Sequence, residues 1–181
     1  MPAAIPAIEA ARFYPDVPRL FRENQVREAP SYEDVIYRVT PRATSADVDR
    51  ALAFLGSKTR PPAATADALN RVLDGVQYPQ AASLLELKGL GLSLPEAAAM
   101  LHFQRPAFPL YREPALRALR GLGFAVEWRE TLDEDGVGAY EGFIAALDFL
   151  KKHVPYAYVP ETNVFLSRLI EAALHKRGIA P

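Results

Sequence analysis

Proline does more than any other residue to limit what this chain can fold into. The 181 residues include 16 prolines, about 9% against the roughly 5% usual in proteins. The prolines stand mostly between stretches in which apolar residues recur at helical spacing. Strands are not indicated, because the sequence has no sustained apolar and polar alternation and no Asn-Gly or Asp-Gly pair between β-branched runs. The sequence therefore predicts an all-α protein of short helices joined by stiff turns.

About eight short helices account for the apolar periodicity. Gly56 is placed to end one of them, and Ser93 with Glu96 has the S-x-x-E spacing of an N-terminal capping box. The predicted helices cover residues 31–39, 45–56, 65–75, 79–88, 94–104, 113–121, 138–153 and 161–177.

A chain of this length is expected to form a single domain, here residues 1–181 with two lobes. The central lobe is predicted over about residues 61–125, and the N- and C-terminal segments form the other lobe. The proline-rich segment 57–64 is the predicted lobe boundary, because two adjacent prolines stiffen it between helical stretches.

Charge and cysteine content exclude several classes of function. The formal net charge is −1, so the chain has no overall basic field, and any contact with nucleic acid must be local. The absence of cysteine excludes disulfides, thiolate metal sites and cysteine nucleophiles. His102, His153 and His175 lack metal-ligand spacing, and no Walker loop, dinucleotide fingerprint or serine-hydrolase motif is present. We therefore expect neither a metal nor a cofactor.

The sequence also predicts a cytoplasmic protein without a membrane segment. No apolar run reaches the roughly 18 residues that a membrane helix needs. The first residues, MPAAIPAIEAARF, lack a basic region ahead of an apolar stretch. A membrane is therefore not among the expected partners.

Residues 84–104, LLELKGLGLSLPEAAAMLHFQ, carry the pattern that points to a function. A short amphipathic helix runs into a turn containing Gly89, Gly91, Leu92 and Ser93, and a second helix follows at once. Glycine permits positive φ and close approach of the backbone to a ligand, and N–H groups at the start of a helix can bind an anion. These four residues are therefore predicted to contact a DNA phosphate through backbone amides.

The segment from Leu87 to Leu119 resembles the core of the helix-hairpin-helix DNA glycosylase superfamily, which has the endonuclease III-like fold. The resemblance implies a two-lobed helical bundle that binds duplex DNA, damaged or distorted, in DNA repair. Its hairpin would be residues 91–93, although residues 89–91 offer an alternative register with both glycines. The register rests on Pro95, Ala97, Ala99, Leu101, His102, Phe103, Pro106, Phe108, Pro109, Ala115 and Leu116.

Two functional positions of that superfamily are altered here. The aspartate that the resemblance places after the second helix corresponds to Arg112, and a cation would repel an oxocarbenium-like transition state. Glu113 is adjacent and is the candidate catalytic carboxylate. The lysine of the bifunctional members corresponds to Pro95, and Lys88 lies on the wrong side of the turn. Any remaining activity would therefore be that of a monofunctional DNA N-glycosylase.

Basic and aromatic side chains outside the turn allow two interpretations each. Arg112, Arg117 and Arg120 are candidate DNA contacts, the last two sharing a helix face, although surface arginines usually have no specific role. Aromatic residues can stack on a flipped base or belong to the core. The aromatic residues concerned are Phe13, Tyr14, Tyr37, Tyr78 and Trp128.

A second hypothesis of a different class fits the same residues. The chain would be a non-catalytic helical protein-interaction domain that keeps the scaffold and has lost the chemistry, since a fold by itself does not fix function. A continuous exposed apolar patch would favour this alternative.

Overall fold

The computed structural model describes residues 4–25, 31–75, 80–160 and 164–179, which form nine α-helices and three short 3₁₀ helices. These residues contain no β-strand, which confirms the predicted all-α class. The α-helices are α1 (Ala4–Phe13), α2 (Val17–Gln25), α3 (Tyr32–Ile36), α4 (Ser45–Phe54), α5 (Thr65–Gly75), α6 (Leu94–Gln104), α7 (Glu113–Gly121), α8 (Glu134–His153) and α9 (Leu166–Ile179). The 3₁₀ helices are Tyr14–Asp16, Ala81–Leu87 and Tyr156–Tyr158. Among the helices of these four ranges, none combines the length and the apolar character needed to cross a bilayer.

The helical content exceeds the prediction at the N-terminal end. The apolar pattern places its first helix at residue 31, whereas the structure has α1 and α2 before it. Each contains a proline within its first turn, Pro6 in α1 and Pro18 in α2. Proline is tolerated there because the first N–H groups of a helix have no intrahelical acceptor. The helix predicted over 79–88 is a 3₁₀ helix in its described part.

The chain divides into two compact units. Unit 1 comprises Met1–Arg27, Arg112–Trp128 and Glu141–Pro181. Unit 2 comprises Glu28–Tyr111 and Arg129–Tyr140. The terminal segments thus share a unit, but the proline-rich segment 57–64 does not separate the units, because it lies within unit 2. Its first residues are held there by the hydrogen bond from Ser57 Oγ to the Glu96 carboxylate on α6.

Unit 1 is organised around α9. This helix packs against α7 and α2. Near its C-terminal end, Gly178 approaches the backbone of Pro114 in α7 so closely that a side chain would not fit. Fully buried apolar side chains in this unit include Phe13, Leu116, Leu119, Phe143 and Ile170.

Unit 2 is organised around α6, which is buried on nearly every side. The helix packs against α4, α5 and the 3₁₀ helix Ala81–Leu87. Its small side chains Ala97, Ala98 and Ala99 are completely buried, which lets neighbouring helices approach closely. A helix that is apolar all round needs partners on every face. Burial of α6 therefore fixes the start of this helix, and with it the turn that precedes it.

Candidate nucleic-acid interface

The turn before α6 has the backbone conformation that its glycines predict. The 3₁₀ helix ends at Leu87, and Gly89 and Gly91 follow with φ of 90° and 72°. Both glycines are exposed, while Leu92 is buried beneath them. Left-handed φ values are strained for residues with a Cβ atom, so glycine is the residue suited to both positions. Residues 84–104 therefore contain an exposed bend between two helical segments.

Unpaired backbone amides characterise this turn. The Leu90 N–H donates to the Leu87 carbonyl oxygen at 3.3 Å. Within the described ranges, the N–H groups of Gly89, Gly91 and Leu92 have no hydrogen-bond partner. An N–H group without a protein acceptor requires water or a ligand. The turn therefore offers donors to an anion at its glycines.

The first turn of α6 is capped internally, so its N–H groups are not available to bind an anion. Ser93 and Glu96 form the predicted capping box, in which each side chain accepts from the other residue's backbone N–H. The Leu94 N–H donates to the Glu130 carbonyl oxygen at 2.8 Å. Pro95 has no N–H group to offer. Phosphate contacts at this end of unit 2 must therefore come from the turn and not from the helix.

Glu96 connects the turn to a second segment of unit 2. Its carboxylate accepts the Ser93 N–H at 2.8 Å and also the Ser57 hydroxyl. Burial acts to raise the pKa of Glu96, but these hydrogen bonds outweigh burial and lower it. The carboxylate is therefore ionised at neutral pH and serves as the common acceptor of the two segments.

Arg112 lies in unit 1, at the N-cap of α7, and its guanidinium is engaged by Glu171. Arg112 Nε donates to Glu171 Oε1 at 2.7 Å, and Nη2 donates to Oε2 at 3.2 Å. Arg168 donates to the same Oε2. The exposed fractions of the Arg112 and Glu171 side chains are 11% and 0%. Arg112 is thus one half of a bidentate, largely buried ion pair.

The charge state of Glu171 follows from its surroundings. Burial acts to raise the pKa of this carboxyl group, but the charges of Arg112 and Arg168 outweigh burial and lower the pKa to about 2. Sequence reasoning did not find Glu171 or Arg168. Their signal was an acidic and a basic residue three positions apart inside an apolar stretch, RLIEAAL.

The remaining candidates in unit 1 lie on α7 with partners of their own. Glu113 accepts from Arg117 Nη2 at 3.3 Å, and both side chains are more than half exposed. Arg117 also donates to the Gly178 carbonyl oxygen at 3.3 Å. Arg120 Nε donates to the Val126 carbonyl oxygen at 3.0 Å. The predicted site residues therefore fall into two groups, one at the turn of unit 2 and one at α7 of unit 1.

The aromatic candidates have different environments. Phe13 is completely buried, Tyr37 is exposed, and Trp128 is partly exposed. Tyr78 lies outside the described residues. Tyr14 lines a cavity of about 380 Å³ within unit 1, together with Phe149, His153 and Tyr158. Of the four candidates within the described residues, Phe13 belongs to the core.

The histidines are not arranged to bind a metal. In the described ranges, no group of three or more potential ligands is close enough to hold a metal ion. His102 is a buried, hydrogen-bonded residue of α6, with Nδ1 at 2.6 Å from the Phe108 carbonyl oxygen and Nε2 at 3.0 Å from the Tyr32 hydroxyl. Because a carbonyl only accepts, Nδ1 carries the proton and donates.

The fold and the site define an all-α protein with an exposed two-glycine turn in one unit and a buried ion pair in the other. Comparison with protein-family models, with curated proteins and with solved structures finds no match. The resemblance to the helix-hairpin-helix glycosylases accordingly stays a prediction from the sequence.

Proposed function

We propose that this chain is a DNA-binding, DNA-glycosylase-like protein of the helix-hairpin-helix type that binds damaged or distorted duplex DNA in repair. The observation that supports it is the exposed turn with Gly89 and Gly91 in left-handed conformation. The amides of Gly89, Gly91 and Leu92, which lack partners in the described chain, would donate to phosphate oxygens. Ser93 contributes by ending the turn and capping α6.

A local phosphate site is compatible with the net charge of −1. Lys88 stands beside the turn and is paired with Glu134 at 3.3 Å, with both side chains more than half exposed. An exposed pair of this kind has a free energy near zero, so Lys88 can exchange its partner for a phosphate at little cost. Arg117 and Arg120 on α7 are further proposed contacts, whereas Arg112 does not belong to the set because Glu171 holds its guanidinium.

The binding proposal is tested by placing a negative charge in the turn. A Gly91→Glu variant should bind a duplex carrying an abasic-site analogue at least about tenfold more weakly than the wild type, because the carboxylate repels phosphate where the amides would donate. No atom lies within 4 Å of an added Cβ, but the φ of 72° is strained for any side chain, so Gly91→Ala is measured alongside to give the effect of strain without the charge. Fluorescence anisotropy at about 50 mM and about 200 mM salt measures both affinity and its salt dependence.

The matched control adds the same charge elsewhere in unit 2. Gly138 lies in α8 with open space around it, and Gly138→Glu should retain binding within about twofold, because it adds the same charge outside the turn and away from its amides. Thermal melting of both variants checks that they are folded. Absence of wild-type binding at low salt would contradict the proposal and favour a protein-interaction domain.

One feature of unit 1 favours that alternative. The cavity beside Tyr14 is walled by Ala7, Ala11 and Pro155 as well as by its aromatic side chains. The neighbouring residues Ile8 and Tyr156 are 57% and 89% exposed. Apolar surface of this kind is typical of a protein contact. The protein-interaction alternative would be supported by a pull-down that recovers a bound partner, provided that the wild type also fails to bind DNA at low salt.

Catalysis is a separate question, and the geometry supports binding better than hydrolysis of the N-glycosidic bond. Arg112 brings a cation to the position that the resemblance assigns to an aspartate, and Glu113 is paired with Arg117. We therefore expect no base release from a panel of lesion-bearing duplexes above the rate without protein. Release by the wild type that Glu113→Gln lacks would contradict this expectation and assign Glu113 as the catalytic residue. Release that both proteins share would place the chemistry on another residue.

A further inference from the structure

We propose that Lys58 and Arg60 form a second phosphate-binding element, held beside the glycine turn by Glu96, that contacts the DNA backbone next to the phosphate bound at the turn. This inference rests on the proposed DNA binding and assigns it a further pair of residues. The ligand class is the phosphodiester backbone of a duplex.

The segment 57–60 presents two faces. Ser57 and Thr59 are partly buried, the Ser57 hydroxyl donates to the Glu96 carboxylate, and the Thr59 N–H donates to Ser57 Oγ at 3.0 Å. Lys58 and Arg60 alternate with them and are exposed. The Ser57 hydroxyl therefore anchors the segment while the two cations face solvent.

The anchor also determines where these cations lie. Glu96 Oε2 accepts both the N–H and the hydroxyl of Ser93, at 2.8 Å and 2.9 Å. Its other oxygen, Oε1, is bonded to Ser57. One carboxylate thus joins the end of the glycine turn to the start of the basic segment. Pro61 restricts the backbone of Arg60, since the residue before a proline is disfavoured in the helical region and favours extended conformations.

The two cations of this segment form no ion pair with another residue that the structure describes. Three other basic residues of unit 2 do have acidic partners, in the pairs Arg42 with Asp74, Arg50 with Asp47 and Lys88 with Glu134. In the part of the chain that the structure describes, neither Lys58 nor Arg60 has a carboxylate within 4.0 Å.

Both cations line a surface groove of about 400 Å³. Among the described residues that line the groove, Asp49 is the one acidic residue against the two bases. The excess of positive charge makes the groove complementary to an anion. Arginine suits a phosphate in particular, because its guanidinium can donate two parallel hydrogen bonds to phosphate oxygens.

Counterion release gives this inference a quantitative test. Each phosphate neutralised by a basic side chain adds about 0.9 to the slope of log affinity against log salt concentration for duplex DNA. The Lys58→Gln/Arg60→Gln double variant should therefore lose about 2 from that slope relative to the wild type. It should also bind the duplex about tenfold or more weakly at about 50 mM salt, with a smaller difference at about 200 mM.

The matched control removes two exposed positive charges from other parts of unit 2. Arg38 and Arg71 are exposed and do not line the groove. The Arg38→Gln/Arg71→Gln variant should keep the wild-type slope while changing the net charge by the same amount. All four altered side chains are on the surface, and an unchanged thermal midpoint verifies folding.

The outcomes separate this inference from the proposed function. A wild type that binds DNA, with both double variants showing its slope, would overturn the role of Lys58 and Arg60 and leave the turn proposal standing. Equal losses in both double variants would also overturn it, because the effect would then be one of net charge. A wild type that does not bind DNA at low salt overturns both.

Discussion

Replacing Glu171 by glutamine should lower the free energy of unfolding by about 3–5 kcal/mol, as is usual when one partner of a buried ion pair is removed. Glu171 is completely buried and accepts from Arg112 and Arg168, whose side chains are 11% and 1% exposed. Glutamine keeps the shape of the side chain but not its charge. Two guanidinium groups would then remain in the interior without the carboxylate that compensates them.

Urea unfolding at neutral pH measures this loss, and Glu113→Gln is its matched control. Glu113 also pairs with an arginine, but both partners are more than half exposed. Exposed pairs contribute about 1 kcal/mol or less because water screens them. Equal destabilisation by the two variants would contradict the assignment of Glu171 to a buried, charge-compensated site.

The pH dependence of stability provides an independent readout of the same pair. The pKa of Glu171 falls from an ordinary 4.5 to about 2 in the folded protein. A lowered folded-state pKa gives stability that is complete above pH 4.5 and is lost as pH falls toward 2. As the pH falls across that range, the free energy of unfolding of the wild type should decrease by about 3 kcal/mol because of Glu171. Glu171→Gln should not show this decrease. Parallel profiles of the free energy of unfolding against pH for the two proteins would contradict the prediction.

Replacing Gly178 by alanine should destabilise unit 1 by about 3 kcal/mol. A Cβ atom at this position would lie 2.5 Å from the carbonyl carbon and 2.9 Å from the Cα of Pro114, and closer still to the carbonyl oxygen. All three atoms are backbone, so no side-chain rotation can relieve the contact. The C-terminal end of α9 would have to move away from α7, against which it packs.

Gly142→Ala is the control for the change in helix propensity. Gly142 lies inside α8 with no atom within 4 Å of an added Cβ. Alanine is preferred over glycine in helices, so this variant should be more stable by about 0.5–1 kcal/mol. Differential scanning calorimetry measures the thermal midpoint of both variants. If Gly178→Ala were stabilised as Gly142→Ala is, α7 and α9 would leave room for a side chain, and the prediction would be contradicted.

The buried pair changes how Arg112 is interpreted. From the sequence alone, Arg112 is a cation at the position where the resemblance implies an aspartate, and it is predicted to contact a DNA phosphate. In the structure its charge is compensated by Glu171, so Arg112 stabilises the packing of α7 against α9. The DNA-binding proposal consequently depends on the turn of unit 2 and on exposed basic residues.

Much of the fold and part of the site could be predicted because their signals are local. The capping box of Ser93 and Glu96 is correct, as are the glycine turn at Gly89 and Gly91 and the all-α class. Each depends on residues a few positions apart, whose conformations are set by proline geometry, capping and the freedom of glycine. The short helices α1 and α2 were not predicted, because proline in their first turns masks the apolar periodicity.

Tertiary structure alone decided which polar groups are available for binding. The sequence determined an all-α chain with an exposed glycine bend ahead of a capped helix. It did not determine that Glu130 accepts the Leu94 N–H, that Glu96 holds the segment at Ser57, or that Glu171 neutralises Arg112. Each of these contacts joins residues far apart in the chain, and only the packing of the helices brings such partners within hydrogen-bond distance. Local periodicity carries no information about that packing.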